Sequence, residues 1–260
     1  MSFLWIAGII VLGGSLASIG GLLLARRCVN FEKLRPSHDV GGYLLSVVGT
    51  LYAVLLGFVI VDTMQQYQNA RHVTEMEANT LADIFVMANR LHEPERSKIQ
   101  TACRNYIGQV IDTEWSRMSC GNYCPVSRAK AVDLMKMLVD FAPQSEIEKF
   151  LYPSLVQESS LFWQNRQSRL LSAQNHLPLF EWAILILGAL IVIVFTFFFG
   201  LEHLKLQVLM TGLLGTLISL NFSLLLFFAY PYNSDLGIQA DAFESVEDVF
   251  GGKSGQMSVP

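Results

Sequence analysis

Charged residues are absent from residues 3–24, 40–61, 182–200 and 206–230 of this chain, whereas 63–175 carries most of its acids and bases. A bilayer's hydrocarbon core, about 30 Å thick, takes about 20 apolar residues at a rise of about 1.5 Å each. All four uncharged stretches reach that length, which the core helix of a soluble protein would not need. Inside hydrocarbon a segment must satisfy its own backbone N–H and C=O groups, so each stretch reads as a helix. The 52% of hydrophobic and 15% of charged residues are an average over these two populations. The expected fold is all-α: an integral membrane protein with four transmembrane helices in two hairpins, and a helical extramembrane domain between the second and third spans. The boundaries that follow are 1–62 for the first hairpin, 63–178 for the domain, 179–232 for the second hairpin and 233–260 for a C-terminal tail.

Residue types that favour the headgroup level mark the span ends. Trp5, Tyr43 and Trp182 open the first three spans, and Tyr230 with Tyr232 closes the fourth. Polar connections at 26–39 and 202–205 are short, as antiparallel hairpins require. The first apolar run has no basic residue before it and ends in Arg26 and Arg27 rather than at a small-residue cleavage site, so it reads as a span and not as a signal peptide.

Between the hairpins, Val73, Glu77, Thr80, Ile84, Met87 and Leu91 recur at three- and four-residue spacing. That periodicity predicts that the second span continues as one long helix until Pro94. Pro94 suits the first turn of a further helix, continuing through Ile99, Cys103, Tyr106 and Val110 towards Trp115. Ser127 and Ser145 are the expected N-caps of two more, the second kinked at Pro153. No stretch alternates with the period of two that marks a strand.

Basic residues in short loops stay on the cytoplasmic side of a membrane. Arg26, Arg27, Lys33 and Arg35 lie in the first short loop, against termini that hold only Lys253. The expectation is a multi-pass protein of the cell (inner) membrane, with both hairpin loops inside and the large domain on the non-cytoplasmic side. Cys103, Cys120 and Cys124 fall in that domain, where an oxidising compartment permits a disulfide; buried thiols are the alternative. Three cysteines without a well-spaced histidine fall short of a metal site, and no cofactor is expected. A net charge of −4 with no cluster of bases and aromatics excludes nucleic acid as a partner and leaves the lipid bilayer.

On the second span, Gly42, Ser46, Gly49, Thr50, Ala53 and Gly57 share one stripe at 100° per residue. Small residues let helices approach closely in lipid, so the stripe reads as a packing seam. It reads equally as the wall of a water-accessible pore, where small and hydroxyl residues give width and oxygen atoms. The stripe continues beyond the membrane through Gln68, Arg71 and Glu75, opposite the series that begins at Val73. A helix lining a continuous aqueous axis would look like this.

Gly212, Gly215, Thr216, Ser219 and Ser223 form a similar stripe on the fourth span, expected to pack against the second. Gly13, Ala17 and Gly21, with Gly14 and Ser18 beside them, give the first span a packing face. Asn221 is expected to hydrogen-bond between helices, and Asp62 to be an interfacial charge pointing away from the small stripe.

No span has an ionisable residue near its centre, which argues against a proton-coupled transporter. The sequence has no glycine-rich phosphate loop, no paired histidines at metal-ligand spacing and no nucleophile motif, so no enzymatic activity is expected. Glu75 and Glu77, two residues apart on a helix, do not face one another and are expected to be solvated or capping.

Residues 41–58, GGYLLSVVGTLYAVLLGF, followed by 61–78, VDTMQQYQNARHVTEMEA, resemble the signature of a bacterial membrane-protein family described as bestrophin-like. Tyr106, Glu114 and Trp115, and the segment PYNSDLGIQADAF at 231–243, resemble its later landmarks. The resemblance implies two helical hairpins flanking a helical domain. Bestrophins are pentameric anion channels whose second span lines the pore and whose helical domain is cytoplasmic. By that resemblance Ser46, Gly49, Thr50, Ala53 and Gly57 would lie nearest the ions, in a homo-oligomer, by implication a pentamer. The rival reading is a non-conducting membrane sensor or scaffold whose helical domain binds a partner.

Overall fold

The computed structural model describes residues 3–28, 38–118, 124–174, 177–198, 203–233 and 235–251, with the side chains of 38–40 excepted. Every regular element among them is helical: α1 (Phe3–Cys28), α2 (His38–Ala88), α3 (Glu95–Gln109), a π-helical turn (Val110–Glu114), α4 (Trp115–Met118), α5 (Pro125–Val139), α6 (Glu146–Gln174), α7 (Leu179–Phe197), α8 (Leu204–Ala229) and α9 (Asp241–Phe250). Four of them, α1, α2, α7 and α8, are long and apolar enough to cross a bilayer. The protein is a multi-pass membrane protein. The described residues form two compact units, Met1–Tyr67 with His176–Tyr230, and Gln68–Asn175 with Pro231–Pro260.

The first unit holds the four spans, where lipid removes the hydrophobic drive and close packing must hold helices together. α1 packs chiefly on α8. The two run antiparallel: Phe3 meets Phe227 at 5.2 Å, Ser15 and Thr216 share a hydrogen bond of 2.8 Å, and Arg26 Nε donates to Gln207 at 2.8 Å. Their backbones approach through facing small residues. A Cβ on Gly215 would stand 2.8 Å from the Ser18 Cβ, and one on Gly14 3.1 Å from the Ser219 Cβ. The small face of α8 is thus filled by α1, which corrects its expected pairing with α2. α2 instead offers large residues: Leu56 joins Leu185, Leu225 and Ala229 in one apolar cluster, and the Tyr52 ring lies against Gly188 while its hydroxyl donates to the Leu185 carbonyl at 3.2 Å. Asn221 donates to the Leu217 carbonyl of its own helix, not across helices.

The second unit is built around the rest of α2, whose Val73, Ala78, Leu81 and Ile84 are buried. α3 packs on α5 and α9, and α5 on α6. Fully burying a valine, leucine or isoleucine side chain contributes about 1.5–3 kcal/mol, the force absent from the spans. Ser145 does cap α6. Its hydroxyl accepts the Glu148 N–H at 3.2 Å and Glu148 returns a bond to the Ser145 N–H at 3.1 Å, a reciprocal capping box. Ser127 does not cap α5: the helix starts at Pro125 after Cys124, where proline suits the first position because it has no N–H to leave unpaired, and Ser127 is buried inside. Within 233–260, α9 buries Phe243, Val246 and Phe250, and Phe250 stacks on Phe85 at 4.0 Å. Cys103 and Cys124 are buried free thiols; Cys120 lies outside the described residues.

Candidate functional site

The stripe on α2 has three distinct neighbours around the helix. Tyr52, Leu56, Val59 and Ile60 pack against α7 and α8. Leu51 and Phe58, 67% and 74% exposed, form a bulky outward face. Between these lie the small residues: Ser46, Thr50, Ala53 and Gly57 are exposed, and a Cβ on Gly49 or Gly57 would meet nothing within 4 Å. The Ser46 and Thr50 hydroxyls donate to the Gly42 and Ser46 carbonyls of α2 itself, at 3.0 and 2.7 Å. Nothing else among the described residues covers this face. Asp62 is exposed and accepts a hydrogen bond from Gln66 at 2.8 Å. Further along α2 Gln68, Arg71 and Glu75 are exposed, and Arg71 pairs with Glu75 at 2.9 Å.

The other expected small residues divide. On α1, Gly21 touches the Phe197 ring, but a Cβ on Gly13 would meet nothing within 4 Å and Ala17 is exposed. The contact runs through Gly14 and Ser18, one residue round the helix. On α8, Gly212 meets Ile19, while Gly215 and Ser219 meet α1.

A second constellation lies wholly inside the other unit, and the sequence reading missed it. Glu77, Glu114, Arg166 and Arg169 are all without solvent access. Glu77 is reached from α2, Glu114 from the π-helical turn and both arginines from α6. Arg166 grips Glu114 with Nη1 to Oε2 at 2.9 Å and Nη2 to Oε1 at 2.6 Å. Arg169 grips Glu77 likewise and reaches Glu114 Oε2 at 3.3 Å. The Tyr106 hydroxyl donates to Glu77 and accepts from Arg166 Nη1 at 2.5 Å. Trp115 and Phe243 lay their rings 5.7 and 5.4 Å from the Arg169 guanidinium.

Two cations meet two anions, so the cluster is neutral. Burial pushes the Glu114 carboxyl up, but the guanidiniums of Arg169 and Arg166 outweigh it and hold it below the usual carboxylate value. Burial and the Glu77 carboxylate push the Tyr106 phenol well above its ordinary value. The π-helical turn explains how the chain turns Glu114 and Trp115, adjacent residues, both inward: its extra residue re-aims the helix face. Glu77 was expected in solvent, and that expectation is corrected. Its place in the inward series Val73, Glu77, Thr80, Ile84 was the signal that should have decided it. Four elements are held in register by this cluster, which presents no group to solvent.

A family model, the bestrophin-like domain, matches residues 13–243. No curated protein matches significantly. Among solved structures, a bacterial bestrophin homologue from Klebsiella pneumoniae with a leucine-to-threonine substitution superposes with a TM-score of 0.69 at 12% identity, covering 95% of this chain and 99% of that one. A second, with a tyrosine-to-alanine substitution, gives the same values, and the crystal structure of a membrane protein with a proline-to-alanine substitution gives 0.66, also at 12% identity and with the same coverage. The fold is shared with these structures, and with the family model matching most of its length this chain belongs to the bestrophin-like family.

Proposed function

We propose that the protein is a channel-like homo-oligomer in which copies of α2 surround an axis and Ser46, Gly49, Thr50, Ala53 and Gly57 face the ions. One observation carries the reading: the small face of α2 has no partner among the described residues, whereas Gly14 and Ser18 of α1 and Gly215 and Ser219 of α8 fill one another's space. An uncovered run of glycine, serine and threonine in a membrane helix suits an aqueous lumen. The bulky neighbours Leu51 and Phe58 then meet lipid or the adjoining copy. In the same reading the spans form two hairpins, 63–178 is the extramembrane domain, and the basic loop holding Arg26 and Arg27 lies in the cytoplasm with the domain on the far side. A pentamer is the stoichiometry that the family resemblance implies.

The test is accessibility. In a background without native thiols, single cysteines at Gly49, Ala53 and Gly57 should react with water-borne reagents, while cysteines at Val48 and Leu55 should not. Uniform silence would reject the lumen. Ion flux into liposomes tests conduction, the mass in detergent tests the oligomer, and a reporter at the C-terminus tests orientation.

A second reading, a non-conducting sensor or scaffold, is favoured by Ile147 and Phe150, 64% and 83% exposed at the start of α6 beside a hollow of about 430 Å³. Absence of flux from an intact oligomer would select it.

A further inference from the structure

A cleft of about 440 Å³ opens among α1, α7 and α8, within the four-span unit. Ile10, Ala17 and Gly21 form one wall, Ile186 and Phe197 the other, and Phe222 part of the floor. We propose that it is a binding site for one acyl chain of an anionic phospholipid.

The chemistry of the lining selects hydrocarbon. The polar side chains of the cleft are Ser18 and Ser219, and each hydroxyl already donates to its own helix, to Gly14 at 2.7 Å and Gly215 at 2.8 Å. Nothing there asks an occupant for a hydrogen bond, and an apolar cleft within a bilayer is filled by the surrounding chains rather than by water. Its length fits a single chain. From Ile10 to Gly21 the wall of α1 climbs eleven helical rises, about 16 Å, which is about half of a 30 Å hydrocarbon core and so one leaflet deep.

Charge fixes the headgroup. The cleft ends at Gly21 and Phe197, and α1 runs on from there to Arg26 and Arg27. The bond between Arg26 and Gln207 brings the start of α8, with its exposed Lys205, to the same end. Three bases at the mouth of a one-leaflet hydrocarbon groove attract a phosphate carrying net negative charge. The small residues of α1 have a second purpose here: Gly14 and Ser18 bring the helix onto α8, Ala17 leaves room for the chain, and Gly21 lies against the Phe197 ring at the end of the cleft.

The experiment uses the full chain in vesicles of phosphatidylcholine doped with a phosphatidylglycerol bearing a photoactivatable group on its acyl chain. Mapping should concentrate the label on residues 10–21 and 186–197. Ala17→Phe with Leu190→Trp, both at exposed wall positions, fills the groove without touching the packed face. It should cut that label roughly tenfold, the affinity carried by about two buried methylenes, while elution and melting stay unchanged. Arg27→Gln with Lys205→Gln should abolish the preference for phosphatidylglycerol over a phosphatidylcholine probe. Label spread evenly over lipid-facing residues such as Leu213 and Leu220, or unaffected by the filled groove, overturns the proposal. So does a disulfide between copies through cysteines at Ala17 and Leu190, which would give the cleft to a second subunit. These readouts do not depend on conduction, so they stand or fall apart from the channel reading.

Discussion

Arg169 holds both carboxylate oxygens of Glu77, with Nε to Oε2 at 2.6 Å and Nη2 to Oε1 at 3.1 Å, and neither side chain has any solvent access. The pair joins α6 to the second half of α2. Two charges removed from water lose several kcal/mol each, and their mutual attraction with complete hydrogen bonding offsets that loss. The pair is therefore worth little by its presence and much by its integrity. Glu77→Gln or Arg169→Met alone strands a buried charge and should destabilise the protein by about 3–5 kcal/mol. Glu77→Gln combined with Arg169→Met restores neutrality and should cost clearly less than the two single changes summed. Unfolding in detergent by denaturant titration measures all three, and simple additivity would show that the two residues are uncoupled.

Glu148 predicts a pH dependence. Its carboxylate accepts the backbone N–H of Gln144 at 2.7 Å, that of His92 at 2.8 Å and the His92 ring nitrogen at 2.8 Å. These bonds, the Gln144 N–H foremost, hold its pKa down to about 2. Because the folded value lies below the unfolded value of about 4.3, the group's contribution is present above the unfolded value and is lost as pH falls through the folded one. Melting temperature should decline from about pH 4.3 towards pH 2. Glu148→Gln should flatten part of that decline and lower the plateau at neutral pH. An unchanged acid limb would remove Glu148 from the account.

The four spans, the long α2 and the cap at Ser145 were legible because each rests on a local pattern: an uncharged run, a 3.6-residue period, a serine three residues before a glutamate. Partners were less legible. Gly215 looks the same in sequence whether it faces α1 or α2, and the choice fell to Tyr52, whose ring fills the space on α2 that a small seam would have needed. Glu77 shows another limit. Its helical period places it inward, but the two arginines 89 and 92 residues later that neutralise it there are tertiary information. α9 was missed for a plainer reason: Phe243, Val246 and Phe250 carry a helical period, but in a short segment after the last span that period was outweighed by the polar residues around it.

Two adjacent glycines should give opposite results. Gly14 lies on the α8 contact, where a Cβ would crowd the Ser219 side chain, while Gly13 has open space. Gly14→Val should separate α1 from α8 and lower the melting temperature in detergent, and Gly13→Val should leave it unchanged. Overpacking of this kind costs about 1–3 kcal/mol, enough to register in a thermal melt. Equal effects would mean that valine's poor fit in a helix, and not the contact, is responsible.

Tyr52 and Ala53 divide packing from conduction in the same way. Tyr52 is anchored by its hydroxyl on the Leu185 carbonyl and its ring on Gly188. Tyr52→Ala empties that contact and should destabilise the spans by about 2 kcal/mol, less than the loss for a fully buried aromatic because the ring is half-buried. Ala53 faces outward, so Ala53→Leu adds volume where no described residue packs. Folding and oligomer mass should stay as they are, yet if the small faces surround an aqueous axis, each copy adds a bulky apolar group to the same ring. Constriction and dewetting then act together, and liposome flux should fall severely. Flux unchanged in the Ala53→Leu oligomer would place the conduction path elsewhere. A loss of melting temperature matching that of Tyr52→Ala would show instead that a neighbouring copy packs against this face.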